Sequence, residues 1–306
     1  IVDRLAGEAG FTVPNSVARF APGKNLSYHL SPNQVQAISR SMPLGEEWDV
    51  VVLQGGTVEA AATVGNPTGY VDDGLAIMTN VRAHSPACTA VVFQTWARAE
   101  GHSFYVGPGA PYPGGPLDMH VELEAGNQAL ADALEATFGA GTAVVAPAGE
   151  TAALRGFDPL YYNPDLSHPA PALTAQTAGT LFGAIFRTPA CAPAPDFTTP
   201  GPLATHLATL GLDEDDWHSI AGIADRAGPG WLRPYPGADE DLLLETGATG
   251  LETACGDQAY PAGTKLRFVL TSPAGTYAGE PAHLYAVSYT HLRAHETVLD
   301  LVCRLL

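Results

Sequence analysis

The sequence predicts a three-layer α/β fold, a parallel sheet with helices on both faces, followed by a small β-rich module. Three observations predict it. Short β-branched apolar runs recur at Trp48 to Gln54, Thr89 to Thr95 and Thr142 to Pro147, as buried parallel strands do. Segments with helical spacing alternate with them, which is the pattern of a parallel sheet wound by crossovers. After Arg187 the style changes to Pro-, Gly- and Thr-rich sequence with short alternating stretches.

The elements follow in order. Ile1 to Gly10 reads as an amphipathic helix entered in its middle, so the expected start lies upstream. Thr12 to Phe20 is a weaker strand, and Pro32 to Ser41 a helix. The three strong strands are separated by helices over Tyr70 to His84 and Met119 to Phe138, and the last is followed by a helix over Ala170 to Phe186. Thr188 to Pro202 reads as a linker or surface loop. Leu203 to Ala227 reads as two short helices, with Asp213-Glu214-Asp215-Asp216 a solvated acidic start. Gly228 to Ala286 carries short alternating segments such as Lys265 to Leu270, the mark of a β module. The expected organisation is therefore residues 1–187 as the α/β domain, 188–227 as linker and short helices, 228–287 as the β module and 288–306 as a separate tail. No repeat of solenoid or propeller period is present.

Composition bounds function. The 306 residues are 46% hydrophobic and 15% charged, enough for a full core. Fourteen basic against 32 acidic residues give a net charge of −18, which disfavours nucleic acid and anionic membrane as partners. This acidity suits a secreted, periplasmic or salt-tolerant protein without fixing its compartment. No run spans a bilayer. Cys88, Cys191, Cys255 and Cys303 include no Cys-x-x-Cys pair. Cys191 and Cys255 pair if the protein is exported; the other reading is free buried thiols.

In parallel α/β sheets, sites form at the carboxyl ends of strands. Gln54, Thr95-Trp96 and the loop Asp165-Leu166-Ser167-His168-Pro169 occupy such ends. A carboxylate three residues before a histidine, just ahead of a helix, can orient the imidazole and stabilise its protonated form. The ring's other nitrogen is then free to take a proton from a serine hydroxyl.

Taken in order, these segments resemble the SGNH hydrolases, the GDSL esterase/lipase superfamily, over about Ile1 to Phe186. Leu5 to Phe11 looks like the end of the first helix. Ala21-Pro22-Gly23-Lys24-Asn25-Leu26-Ser27-Tyr28-His29 looks like the block with the oxyanion-hole glycine. Trp48 to Gln54, with Gly55-Gly56-Thr57, looks like the third block, ending in Leu-Gln where the family usually has Gly-x-Asn-Asp. Asp165 and His168 match the final block. The resemblance implies a flavodoxin-like sheet of the SGNH type with its first strand missing. It implies a serine esterase acting on carboxylic esters, such as acetyl groups on carbohydrate, with no metal or organic cofactor. His168 would be base and then acid, Asp165 its orienter, and Gly23 and Gln54 the oxyanion donors. The family's serine ends the first strand, which would lie before Ile1, so the chain as given is expected to be an inactive fragment. Other readings stay open: Gly23 as a turn glycine, Gln54 as a strand cap, and the whole as a non-catalytic extracellular carbohydrate-binding protein with a degenerate hydrolase domain. Of the internal serines, Ser16 falls in the weak strand and Ser167 between the two triad members. No Gly-x-Ser-x-Gly elbow or glycine-rich phosphate loop exists.

Residues 288–306 resemble translated sequencing-adaptor read-through, which would strip meaning from the metal-like spacing of His291, His295 and Glu296. Trp96, Tyr105, Tyr112, Tyr161 and Tyr162 read either as sugar- or acyl-stacking groups or as lid and core packing. His84 and His120 read as structural or surface residues, and His102 as a loop residue near the cleft without an assigned role.

Overall fold

The computed structural model describes residues 1–33, 46–193 and 195–227, and the backbone of four strands at 243–248, 266–271, 282–285 and 302–305. The chain divides into two compact units. The first comprises residues 1–231 and 247–265, the second residues 232–246 and 266–306.

In the first unit, β1 (Val50–Leu53), β2 (Thr89–Phe93) and β3 (Ala143–Ala146) form a parallel sheet in the order β1-β2-β3. Val50 lies opposite Thr89, and Ala90 opposite Ala143. Helices pack on both faces of the sheet, most fully over β2, which is why the strands read as continuous apolar runs, although Val52 of β1 is exposed. On one face, Ala90, Val92 and Ala143 share a core with α3 (Pro67–Arg82) and α4 (Pro116–Phe138). On the other, Val91 and Ala146 meet Ala184, Leu181 and Ile185 of α6 (Pro171–Phe186). Neighbouring residues of β2 thus face opposite layers, as the pleat dictates.

Local chemistry sets the helix ends. Asn66 caps α3 by accepting the Gly69 N–H at 3.1 Å, with Pro67 in the first turn. Tyr70, Ile77, Met78 and Val81 form its buried stripe. Gly74 lets α3 approach α4, since a Cβ there would lie 2.5 Å from Leu130 Cδ1. Short α1 (Val2–Glu8) and α2 (Leu26–His29) precede the sheet, and α5 (Ala148–Leu154) follows β3.

A second apolar cluster joins α1, α6, α7 (Pro202–Thr209) and α8 (Glu214–Ala227) through Leu5, Phe182, Leu203, Leu207, Trp217 and Ile220. Asp213 and Asp216 accept each other's backbone N–H groups at 2.9 and 3.1 Å, a reciprocal cap that starts α8. The acidic run is exposed.

The expected strand over residues 12–20 does not form; those residues carry no regular structure. Val13, Val17 and Phe20 are exposed. A strand needs a ladder partner, and Pro14 removes a donor from the run. Most of the helix expected over Pro32 to Ser41 lies outside the described residues. In the carboxyl-terminal part, β4 (Leu243–Ala248) pairs with β5 (Leu266–Thr271), and β6 (Ala282–Tyr285) pairs antiparallel with β7 (Val302–Leu305). β5 falls where the alternation over Lys265 to Leu270 expects a strand. Cys255, His291, His295 and Glu296 lie outside the described residues. No described helix is long and apolar enough to cross a membrane.

Candidate active site

The loop between α5 and α6 is built by backbone hydrogen bonds. A short 3₁₀ turn, Pro159–Tyr161, leads into it, and Tyr162 and Pro169 form an antiparallel bridge that closes its neck. Asn163 N–H donates to the His168 carbonyl at 2.7 Å, and Leu166 N–H to the Asn163 carbonyl at 2.8 Å. Leu166 adopts a left-handed conformation, φ 57°, which reverses the chain between Asp165 and His168. Two anchors tie the loop to the end of β2. Trp96 Nε1–H donates to the Ser167 carbonyl at 2.9 Å, and Ala99 N–H donates to the Leu166 carbonyl at 2.9 Å. The Arg98 guanidinium reaches the same Ser167 carbonyl at 3.3 Å.

On this frame Asp165 Oδ2 meets His168 Nδ1 at 2.5 Å. Asp165 Oδ1 accepts the N–H groups of Ser167 and His168, both at 2.9 Å. These bonds, the His168 N–H first among them, hold the Asp165 carboxyl far below its ordinary range. A carboxylate facing Nδ1 fixes the proton there and leaves Nε2 as the basic nitrogen. Nε2 is accessible, because the His168 side chain is 72% exposed.

Ser167 is not aligned with that base. Its Oγ lies 3.2 Å from His102 Nε2. His102 Nδ1 accepts the Phe104 N–H at 3.1 Å, so Nδ1 carries the lone pair and Nε2 the proton. His102 is therefore a donor to Ser167 and cannot deprotonate it in this tautomer. Burial, with nearby Arg98, also lowers its pKa. The sequence gives His102 no role; the structure makes it a brace between two loops.

Gly23 occupies the third position of a turn in which Lys24 N–H donates to the Ala21 carbonyl at 3.2 Å. Its φ of +67° and the preceding Pro22 are the signature of a type II turn, so the backbone itself demands glycine. Gln54 follows β1 directly and is exposed. Both residues line a cleft of about 1170 Å³ between residues 12–24 and β1, which also touches Ile185 and Phe186. Among the described strands β1 is at the edge of the sheet, and its residues line this cleft. Ser16 lines the same cleft but donates its hydroxyl to Asp3 Oδ1 at 2.9 Å. Asp165 and His168 are not among the lining residues. The structure thus brings Asp165 and His168 together on the loop anchored beyond β2, and places Gly23 and Gln54 along a cleft whose lining does not include that pair. Thr95 Oγ1–H, beyond β2, donates to the Thr57 carbonyl beyond β1 at 3.0 Å, while its neighbour Trp96 holds the His168 loop.

The aromatic residues divide. Tyr105, Tyr112 and Tyr162 are buried core side chains. Tyr162 and Tyr105 donate to the carbonyls of Ala97 and Arg98, at 2.9 and 3.1 Å, and support the loop from beneath. Tyr161 lies against Arg155. His120 is buried and paired with Glu150 at 3.0 Å, while His84 is exposed. No group of three or more His, Cys, Asp or Glu residues suited to a metal ion occurs among the described residues.

One residue of the region is not legible in the sequence. Glu59, within Val58-Glu59-Ala60-Ala61-Ala62, is buried and joins the Gly23 side of the cleft to the Gln54 side. The only signal is a lone carboxylate in a run of small apolar residues.

No protein-family model matches the sequence, and no curated protein matches it. Similar solved structures include a candidate SGNH hydrolase from Slackia heliotrinireducens. It is 25% identical over 53% of this chain and 80% of its own, with a TM-score of 0.40. A protein of the DUF4886 family from Bacteroides uniformis is 15% identical over 72% of this chain and 86% of its own, with a TM-score of 0.45. Neither backbone likeness is close enough to assign a family.

Proposed function

We propose that this chain carries the histidine–aspartate pair and oxyanion donors of a serine hydrolase of the SGNH type that cleaves carboxylic esters, with acetyl esters of carbohydrate as the favoured substrate class. The observation that carries the reading is the Asp165–His168 pair: a carboxylate held by two backbone N–H groups and set 2.5 Å from Nδ1, with Nε2 open to solvent. An aspartate so placed orients the ring and stabilises the imidazolium that forms during acyl transfer.

The nucleophile is proposed to arrive on a strand that pairs with the outer edge of β1 in the cleft. A serine at that strand's carboxyl end would share a sheet edge with Gln54. Its hydroxyl proton passes to His168 Nε2 as Oγ bonds the ester carbonyl carbon. The carbonyl oxygen takes up the negative charge, and Gly23 N–H and the Gln54 amide are the proposed donors to it. Each donor of this kind stabilises the transition state by about 3–4 kcal/mol. His168 then returns the proton to the departing alcohol, and water repeats the sequence on the acyl-enzyme.

The test is hydrolysis of p-nitrophenyl acetate by the product of the full coding sequence. His168→Ala should lower kcat by about 10³-fold or more, and Asp165→Ala by less. An unchanged rate for His168→Ala would end the reading. The 306-residue chain alone should show no His168-dependent hydrolysis; if it does, the nucleophile lies within it, and Ser16 in the cleft is the first to substitute.

A further inference from the structure

We propose that Glu59 is a positioning residue for the oxyanion donors: one buried carboxylate takes N–H groups from both sides of the cleft and so fixes the Gly23 turn relative to the loop bearing Gln54. The inference rests on the esterase reading above.

The geometry is specific. Leu26 N–H, three residues beyond Gly23, donates to Glu59 Oε1 and Oε2 at 3.2 and 3.1 Å. Gly56 N–H, two residues beyond Gln54, donates to Oε2 at 2.8 Å. Glu59 is 4% exposed. Its own backbone is held in a tight loop, with Glu59 N–H bonded to the Gly56 carbonyl at 2.9 Å and the Asn66 N–H bonded to the Glu59 carbonyl at 3.0 Å.

The approach depends on two glycines. A Cβ on Gly55 would lie 2.6 Å from Tyr70 Cε2 and 2.7 Å from Glu59 Oε2, and one on Gly56 would lie 2.6 Å from Asn25 Oδ1. A side chain at Gly55 would displace the Glu59 carboxylate or the Tyr70 ring, and one at Gly56 would displace the Asn25 side chain. Tyr70 does not serve Glu59, because its hydroxyl donates to Asn127 Oδ1 at 2.8 Å. The groups facing the carboxylate are therefore the two backbone N–H groups, with the Tyr70 ring and Asp73 on α3. Burial raises the Glu59 pKa, the N–H bonds pull it back, and Asp73 adds to the rise. A carboxylate kept where burial opposes its charge is a local cost of the kind that functional sites retain.

Two measurements decide the matter. In the ¹⁵N-labelled 306-residue chain, the Gly56 and Leu26 amide resonances should shift together with one midpoint above 4.5, the ordinary glutamate value, and lose that transition in Glu59→Gln. Independent transitions, or ones that survive Glu59→Gln, overturn the clamp. In the full coding-sequence product acting on p-nitrophenyl acetate, Glu59→Gln should lower kcat about 10- to 100-fold with KM within about twofold, because donors displaced by an ångström lose the transition state more than the substrate. Glu59→Asp should recover part of the loss. An active wild type with an unchanged Glu59→Gln kcat overturns the positioning role and leaves the esterase reading standing. A wild type without activity removes both the esterase reading and the role claimed here.

Discussion

Asp165 and Asp225 are held by the same kind of backbone donor and end at opposite acidities. Each carboxylate accepts two consecutive backbone N–H groups: Ser167 and His168 at 2.9 Å for Asp165, Ala190 and Cys191 at 2.5 and 3.0 Å for Asp225. Asp165 lies at the surface, and its hydrogen bonds win, driving the pKa far down. Asp225 sits on α8 in the second apolar cluster's surroundings, and burial wins, pushing its carboxyl up to about 7 despite both bonds. Hydrogen bonding to the charged form lowers the carboxyl pKa in both places, but only at the surface does it outweigh desolvation. The surface aspartate is tuned to stay ionised beside a histidine. The interior one is a structural tie close to neutralisation.

The contrast can be broken by truncation. Asp225→Ala leaves the Ala190 and Cys191 N–H groups without their acceptor and should cost about 2–4 kcal/mol, read from urea unfolding. Asp165→Ala should move the unfolding midpoint far less, since water can replace an exposed carboxylate, while it impairs hydrolysis. Equal losses of stability would mean that exposure does not separate the two.

The next effect is in pH. The folded pKa of Asp225, about 7, exceeds its ordinary 3.8, so the folded state binds the extra proton between those values. Its contribution to stability is therefore greatest in acid and falls as pH rises from about 4 to 7. Asp225→Asn should flatten the unfolding free energy over that window. Asp165 has the opposite sign: its folded pKa is depressed below 3.8, so its contribution is present above that value and is lost as pH falls further. The smallest expected effect is that Asp165→Asn and wild type converge in stability in strong acid while differing at neutral pH.

The sheet and its helices were legible because their signal is periodic and local. Val50–Leu53, Thr89–Phe93 and Ala143–Ala146 lie inside the apolar runs that predict them, and α3, α4 and α6 fall close to their expected spans. Residues 12–20 mislead because alternating side chains describe a strand only when a neighbour accepts the ladder. Near the site, the Asp165 loop is visible as a sequence motif, since both partners lie three residues apart. Glu59 was not, because Leu26, 33 residues before it, is joined to it only by folding, Gly56 offers only a backbone N–H, and a glutamate among alanines carries no local signature. The tautomer of His102 is likewise set by the Phe104 N–H, a contact of backbone geometry.

The indole of Trp96 bonds the carbonyl of Ser167, the residue between Asp165 and His168. Trp217, by contrast, is 1% exposed in the second apolar cluster. One of the protein's four tryptophans is therefore an optical gauge of its candidate catalytic loop, readable once Trp48 and Trp231 are replaced by Phe. When that loop lifts, the Trp96 chromophore loses its acceptor and meets water, and its fluorescence moves to the red. Trp217 keeps the emission of a dry environment as an internal reference.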